Sequence, residues 1–126
     1  MPHPLNYQVG LWLIFGGFVS GAIVGLGFHR EDYLGGYGSF RRRLVRLGHI
    51  ALVALGFLNL VFGLSPVAIA LNGWAPWTGR CLMAGSLAMP TVCLLAAWKP
   101  VFRHLFFIPV SLLAGAVVLW LVFLPV

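Results

Sequence analysis

The chain has 126 residues, of which 61% are hydrophobic and only 8% are charged, and its mean hydropathy is +1.01. These values exclude a water-soluble globular domain, in which about 25% of the residues are charged. The formal charge of +6 does not indicate a nucleic-acid partner, because the basic residues flank hydrophobic runs and so form a membrane-topology signal.

Four hydrophobic runs predict four transmembrane helices, at residues 9–28, 44–64, 79–98 and 105–124. Each run is close to the ~20 residues that a ~30 Å hydrocarbon core requires, and charges occur only at the ends. A spanning β-barrel would need about eight or more short alternating segments, which these runs do not resemble. Since the connectors are short, we predict an all-α integral membrane protein whose single domain, residues 1–126, is an up-and-down antiparallel bundle.

The basic residues predict how the chain is oriented in the membrane. Seven of the eight Lys and Arg residues lie in or beside the connectors 29–43 and 99–104, and only Arg80 lies on the opposite side. By the positive-inside rule these connectors face the cytoplasm, so both termini are predicted outside, with a bacterial inner membrane as the expected location. The apolar connector 65–78 is expected to lie along the outer interface.

Small residues at helical spacing predict where the helices touch. In a bilayer, helices associate through close backbone contact and through polar groups that find partners. Gly17, Gly21 and Gly25 recur every four residues in the first span, and Gly56 shares a stripe of the second span with His49 and Asn59. We therefore expect these four glycines to form helix contacts.

Three histidines are predicted near the cytoplasmic interface, where they are candidates for a tetrapyrrole site. His29 ends the first span, His49 lies about one turn into the second, and His104 opens the fourth. Imidazoles from facing helices with glycines nearby could ligate haem b or another tetrapyrrole, with His29 and His49 as the axial pair and His104 in reserve. The favoured alternative is that each caps a helix or contacts lipid phosphate. No metal site is expected, because Cys81 and Cys93 lie at other depths.

Asn59 is the one carboxamide predicted deep in the bilayer. It lies ten residues after His49, about 15 Å further along a helix, and so is expected near the membrane centre. A buried amide must find hydrogen bonds. The favoured interpretation is a link between helices, and the alternative is a contact with a quinone or another lipid-like ligand.

A cluster of arginines opens the second span, at Arg41, Arg42, Arg43 and Arg46. Each such charge near an anionic leaflet contributes on the order of 1 kcal/mol of attraction. We predict that this cluster contacts anionic lipid headgroups or an acidic surface on a partner protein.

Catalysis by the chain alone is not expected, because no Ser, His and acidic residue converge and every charged residue is at or beyond a span end. The leading hypothesis is a small non-catalytic accessory or assembly subunit that binds other integral membrane subunits, in an electron-transport or photosynthetic complex. The alternative is an electron-transfer subunit with b-type haem. A third possibility is a quinone-binding or lipid-binding protein.

Overall fold

The computed structural model describes residues 5–70, 73 and 75–124, and these residues are almost entirely helical, with no strand among them. Five α-helices follow in chain order, with short 3-10 segments at Tyr33–Gly35 and Pro100–Phe106: α1 (Leu5–Gly27), α2 (Phe40–Gly63), α3 (Pro66–Ala70), α4 (Ala75–Trp98) and α5 (Phe107–Phe123).

Four helical segments are long and apolar enough to cross a membrane: α1, α2, α4 and the continuous stretch Pro100–Phe123 that ends in α5. This confirms the prediction of an all-helical chain with four potential spans. The helices α1, α2 and α4 each begin four residues before the corresponding predicted hydrophobic run. The difference arises because hydropathy marks only the apolar part of a helix, whereas backbone hydrogen bonding and capping decide where the helix starts.

The long helices pack in a row, with α1 on α2, α2 on α4, and α4 on α5. Neighbours meet in reverse order of residue number, since Tyr7 lies against Gly63 whereas Gly21 lies against His49. In the α4 span 44% of the most apolar window is buried inside the chain, but in the α5 span only 11% is. Of the four potential spans, that of α4 is therefore the most buried within the chain and that of α5 the least.

The connector between α2 and α4 folds against the helices. Val67 and Ala68 of α3 are buried in a cluster with Phe62, Leu82 and Ala116. These apolar side chains pack against the ends of the long helices, and the position of the connector along the outer interface stays a prediction. Residues 71, 72 and 74 lie outside the described residues.

Candidate functional site

Glycines bring the backbones of α1 and α2 into close contact. A Cβ at Gly10 would lie 2.7 Å from the carbonyl oxygen of Gly56 and 2.8 Å from the backbone nitrogen of Leu60. A Cβ at Gly56 would in turn lie 2.9 Å from the carbonyl oxygen of Gly10. Backbone atoms cannot move aside as side chains do, so only glycine permits this approach.

Two of the three regularly spaced glycines of α1 continue this contact. Gly17 lies against Val53, and a Cβ at Gly21 would lie 2.6 Å from Cε1 of His49. Gly25 does not: it is exposed, with no heavy atom within 4 Å of its Cβ position. The expectation that Gly25 forms a contact within the chain is corrected. At about 100° per residue, Gly25 is turned about 80° from Gly17 and so leaves the shared face.

A buried group of amide and hydroxyl side chains joins three helices through hydrogen bonds. The Asn6 side-chain nitrogen donates to Oδ1 of Asn59, at 2.9 Å, and to the Gly79 carbonyl oxygen, at 3.0 Å. The Asn59 side-chain nitrogen donates to Oγ of Ser86, at 2.7 Å, and to the Leu55 carbonyl oxygen, at 2.9 Å. Asn6, Asn59 and Ser86, named the amide cluster here, thus join α1, α2 and α4.

The amide cluster lies near the ends of α1 and α2 but reaches the middle of α4. Asn59 is four residues before the end of α2, and Asn6 and Gly79 lie near the starts of α1 and α4, whereas Ser86 is halfway along α4. Ten residues after His49, Asn59 is past the middle of α2, and its predicted position near the membrane centre stays a prediction. Asn59 is fully buried, and both its amide protons and its oxygen are hydrogen-bonded within the chain.

His49 is half-buried between α1 and α2. Its Nδ1 lies 3.1 Å from the Ser20 hydroxyl, which also donates to the Gly17 carbonyl oxygen at 2.9 Å. Its Nε2 would lie 3.2 Å from a Cβ on Gly21. His49 thus forms a polar contact between two helices, at a level different from that of the amide cluster.

The histidines do not fit a haem site in this arrangement. An axial ligand must direct a ring nitrogen into a space that admits the macrocycle. The edge of His49 that carries both nitrogens is instead covered by Ser20 and Gly21 of α1. His29 and His104 are exposed, in the turn after α1 and in the 3-10 segment before α5.

Arg42 is the one buried charge among the described residues, with only 2% of its surface exposed. Its guanidinium carbon lies 4.4 Å from the ring centre of Phe28 and 5.0 Å from that of Tyr37. Its Nη2 donates to the Phe28 carbonyl oxygen at 3.3 Å. Nε and Nη1 have no protein partner, although both are buried.

The turn before α2 places Arg42 in this position. Leu34, Gly35 and Gly36 follow one another with positive φ angles of 55°, 89° and 96°, which glycine adopts at little cost and leucine rarely does. Ser39 then caps α2: its hydroxyl donates to the Leu34 carbonyl oxygen and accepts from the Arg42 backbone nitrogen. Tyr37 is thereby held over the first turn of the helix.

The other three arginines of the cluster have separate environments. Arg41 donates from Nε to the Ala97 carbonyl oxygen, at 3.0 Å, near the end of α4, where a cation is favourable. Arg46 shares the Tyr37 ring with Arg42, its guanidinium carbon lying 5.5 Å from the ring centre. Arg43 and Arg46 line an open groove of about 360 Å³ with Leu47 and Ile50.

The chain contains only two acidic residues, and neither faces the arginine cluster in an ion pair among the described residues. Asp32 lies 3.8 Å from Arg30, with both side chains largely exposed. Glu31 is also exposed. The positive charge at the start of α2 is therefore balanced by no carboxylate in the described part of the chain.

Sequence reasoning did not identify Asn6, Gly10 or Ser86 as contact residues. Asn6 lies before the first hydrophobic run, which begins at residue 9, so hydropathy alone does not place it in a helix. Its signal was the spacing of Asn6, Gly10, Leu13 and Gly17, which places all four on one face of α1, and all four are buried.

Comparison with protein-family models, with curated proteins and with solved structures finds no match for this chain.

Proposed function

We propose that the chain is a small non-catalytic accessory subunit that binds a helix of another integral membrane protein through the outward face of α5. The observation that carries this proposal is the exposure of Ser111, Ala114 and Gly115 on a helix with only Pro109 and Ala116 buried. A Cβ at Gly115 would meet no atom within 4 Å.

The contrast with the rest of the chain supports this assignment. Several glycines elsewhere serve close contacts, as at Gly10, Gly56 and Gly85, where an added Cβ would collide with a neighbouring helix. On α5 the small residues point away from the chain, next to the exposed Val118. Small residues flanked by bulky ones form the shallow groove into which a second transmembrane helix packs.

The proposed topology is an up-and-down antiparallel bundle with both termini on the outer side. Its support is the charge distribution, with seven of eight basic residues in or beside two connectors, together with the reverse order of contacts between neighbouring helices. A reporter enzyme that is active only outside the cytoplasm, fused after Val126, is expected to be active. An active fusion at Tyr37 and an inactive one after Val126 would reverse the assignment.

Co-purification tests the accessory role. Mild solubilisation of native membranes is expected to recover the chain with at least one other integral membrane protein in fixed ratio. Gly115→Leu should abolish that association without unfolding the chain, because the position is open. Gly25→Leu is the matched control, since Gly25 is equally open but lies on α1. A chain recovered alone, or only as copies of itself, contradicts the proposal.

A visible spectrum separates this role from haem-dependent electron transfer. The pure protein is expected to show no Soret band, because α1 covers the nitrogen-bearing edge of His49. A stoichiometric Soret band that disappears in His49→Ala would overturn the assignment to a subunit without a cofactor.

A further inference from the structure

We infer that Arg42 and Arg46 bind a phosphate group beneath the ring of Tyr37. The inference is independent of the accessory role, because it concerns the start of α2 and not α5. Its basis is the buried guanidinium of Arg42, which has two unpartnered nitrogens. The guanidinium of Arg46 lies beside it on the same face of α2.

The unpartnered nitrogens of Arg42 call for an anion. A buried cation is strongly unfavourable unless it is paired, and each buried N–H group without an acceptor adds to that penalty. Phe28 and Tyr37 contribute only their ring faces, and the Phe28 carbonyl oxygen engages one nitrogen of three. Nε and Nη1 each carry N–H groups that could donate a charge-assisted hydrogen bond to an oxyanion.

The surrounding charges also favour an anion. Arg42 lies in the first turn of α2, a turn without an acidic residue, where the helix dipole repels cations and attracts anions. Arg46 follows one turn later, so the two positive side chains are neighbours and repel each other. A phosphate between them would offset their repulsion, whereas the only ion pair found among the described residues joins Arg30 and Asp32 at a separate place.

The segment over Arg42 can admit such a group. Tyr37 is 71% exposed, so its ring covers the guanidinium but is not itself enclosed. It stands between Gly36 and Gly38, and no side chain on either residue restricts the backbone. Displacement of this ring would uncover the guanidinium of Arg42 next to that of Arg46, since both lie over it.

A phospholipid is the source of phosphate that fits the adjoining surface. The open groove runs from Arg43 and Arg46 to Leu47 and Ile50, which are 44% and 56% exposed. A headgroup phosphate at Arg42 and Arg46 would place an acyl chain along these apolar residues. Free phosphate offers the same charged oxygens to the arginines, but it has no acyl chain to contact the groove.

Lipid titration of the full chain in a mild neutral detergent tests the inference. Phosphatidylglycerol, phosphatidylcholine and inorganic phosphate are added separately, and bound molecules are counted by native mass spectrometry while the unfolding temperature is followed. We expect saturable binding of one phosphatidylglycerol per chain. Arg42→Gln and Arg46→Gln should each weaken it about tenfold, as expected for loss of a charge-assisted hydrogen-bonding partner.

Arg103→Gln is the charge-matched control, because Arg103 is an exposed basic residue in the 3-10 segment before α5. It should leave the affinity unchanged. Binding that does not saturate, that weakens equally in Arg103→Gln, or that is unaffected by both test substitutions overturns the inference. If inorganic phosphate saturates the site as well as the lipid does, the phosphate site stands and its source is a soluble phosphate.

Arg46→Gln also guards against misfolding of the Arg42 variant, since Arg46 is less buried. Arg42→Lys supplies a second check, because lysine keeps the charge but lacks the planar fork. Weakened binding in Arg42→Lys supports the inference, and unchanged binding in both Arg42→Lys and Arg46→Gln contradicts it.

Discussion

The buried polar side chains at the two ends of α2 differ in how fully they are hydrogen-bonded within the chain. At one end Asn59 is neutral and fully hydrogen-bonded within the chain. At the other, about 25 Å away at 1.5 Å per residue, Arg42 is charged and two of its nitrogens lack a partner among the described residues.

This difference shows which buried polar groups a single chain can supply with hydrogen-bond partners in a low-dielectric environment, and which it cannot. Neutral amides are satisfied by other amides, hydroxyls and free carbonyl oxygens, all of which the helices supply. A guanidinium needs an anion, and a chain with two acidic residues has few to offer. The amide cluster should therefore govern stability within the chain, whereas the stability contributed by Arg42 should depend on what is added from outside.

The largest effect is expected from Asn59→Leu. The substitution leaves the buried amide of Asn6 and the hydroxyl of Ser86 without their partner, so it should lower the free energy of unfolding by roughly 1.5–3 kcal/mol. Unfolding in neutral micelles titrated with dodecyl sulfate measures the loss. Thr91→Ala is the control, because Thr91 is exposed and bonds only to its own helix; equal losses in both variants would contradict a special role for the cluster.

Gly10→Ala should be next in size. The added methyl group would collide with backbone atoms of Gly56 and Leu60, which forces α1 away from α2 and costs about 1–2 kcal/mol. In Gly16→Ala the new methyl group meets open space, so stability should be kept. The same unfolding assay compares them, and a stable Gly10→Ala protein would show that the two helices do not depend on this approach.

A double-mutant cycle of Asn6→Ala and Asn59→Ala isolates one bond of the amide cluster. Because the two side chains are directly hydrogen-bonded at 2.9 Å, their effects should be non-additive, with a coupling of about 1 kcal/mol. Additive losses would mean that packing around the two amides stabilises the chain and that the hydrogen bond between them does not.

Arg42→Met should change stability least when neither phosphate nor anionic lipid is present. The substitution removes the unpaired charge but also the contacts with Phe28 and Tyr37, so the net change in unfolding free energy is expected within about 1 kcal/mol. Unfolding in neutral, phosphate-free micelles is the measurement. A loss larger than about 2 kcal/mol would mean that Arg42 is stabilised within the chain, and the contrast between the two ends of α2 would fail.

The four potential spans could be predicted from sequence because hydropathy over about 20 residues is a local property. Contacts between helices depend on how each helix is rotated about its own axis. The spacing of residues in the sequence predicts that rotation only in part. The spacing of four that included Gly25 drifts off the shared face, whereas the spacing of seven from Gly10 to Gly17 stays within about 20° of it.

The candidate sites were harder to predict, for two physical reasons. Asn59 was recognised as an amide needing partners, but Asn6 and Ser86 come from distant parts of the sequence and only folding brings them together. The sequence gives no reason to expect different burial within the arginine cluster. In the structure Arg42 is buried and Arg43 is exposed, and the turn at Leu34 and Gly35 contributes to this difference.

The amide cluster also sets an order for biogenesis. Asn6 and Asn59 emerge from the ribosome with the first two long helices, but Gly79 and Ser86 belong to α4. Until α4 is made, a hairpin of α1 and α2 lacks the Gly79 and Ser86 partners of these two amides. We expect the hairpin to gain stability only once α4 has been synthesised and packs against it, because an amide proton without an acceptor is unfavourable in hydrocarbon.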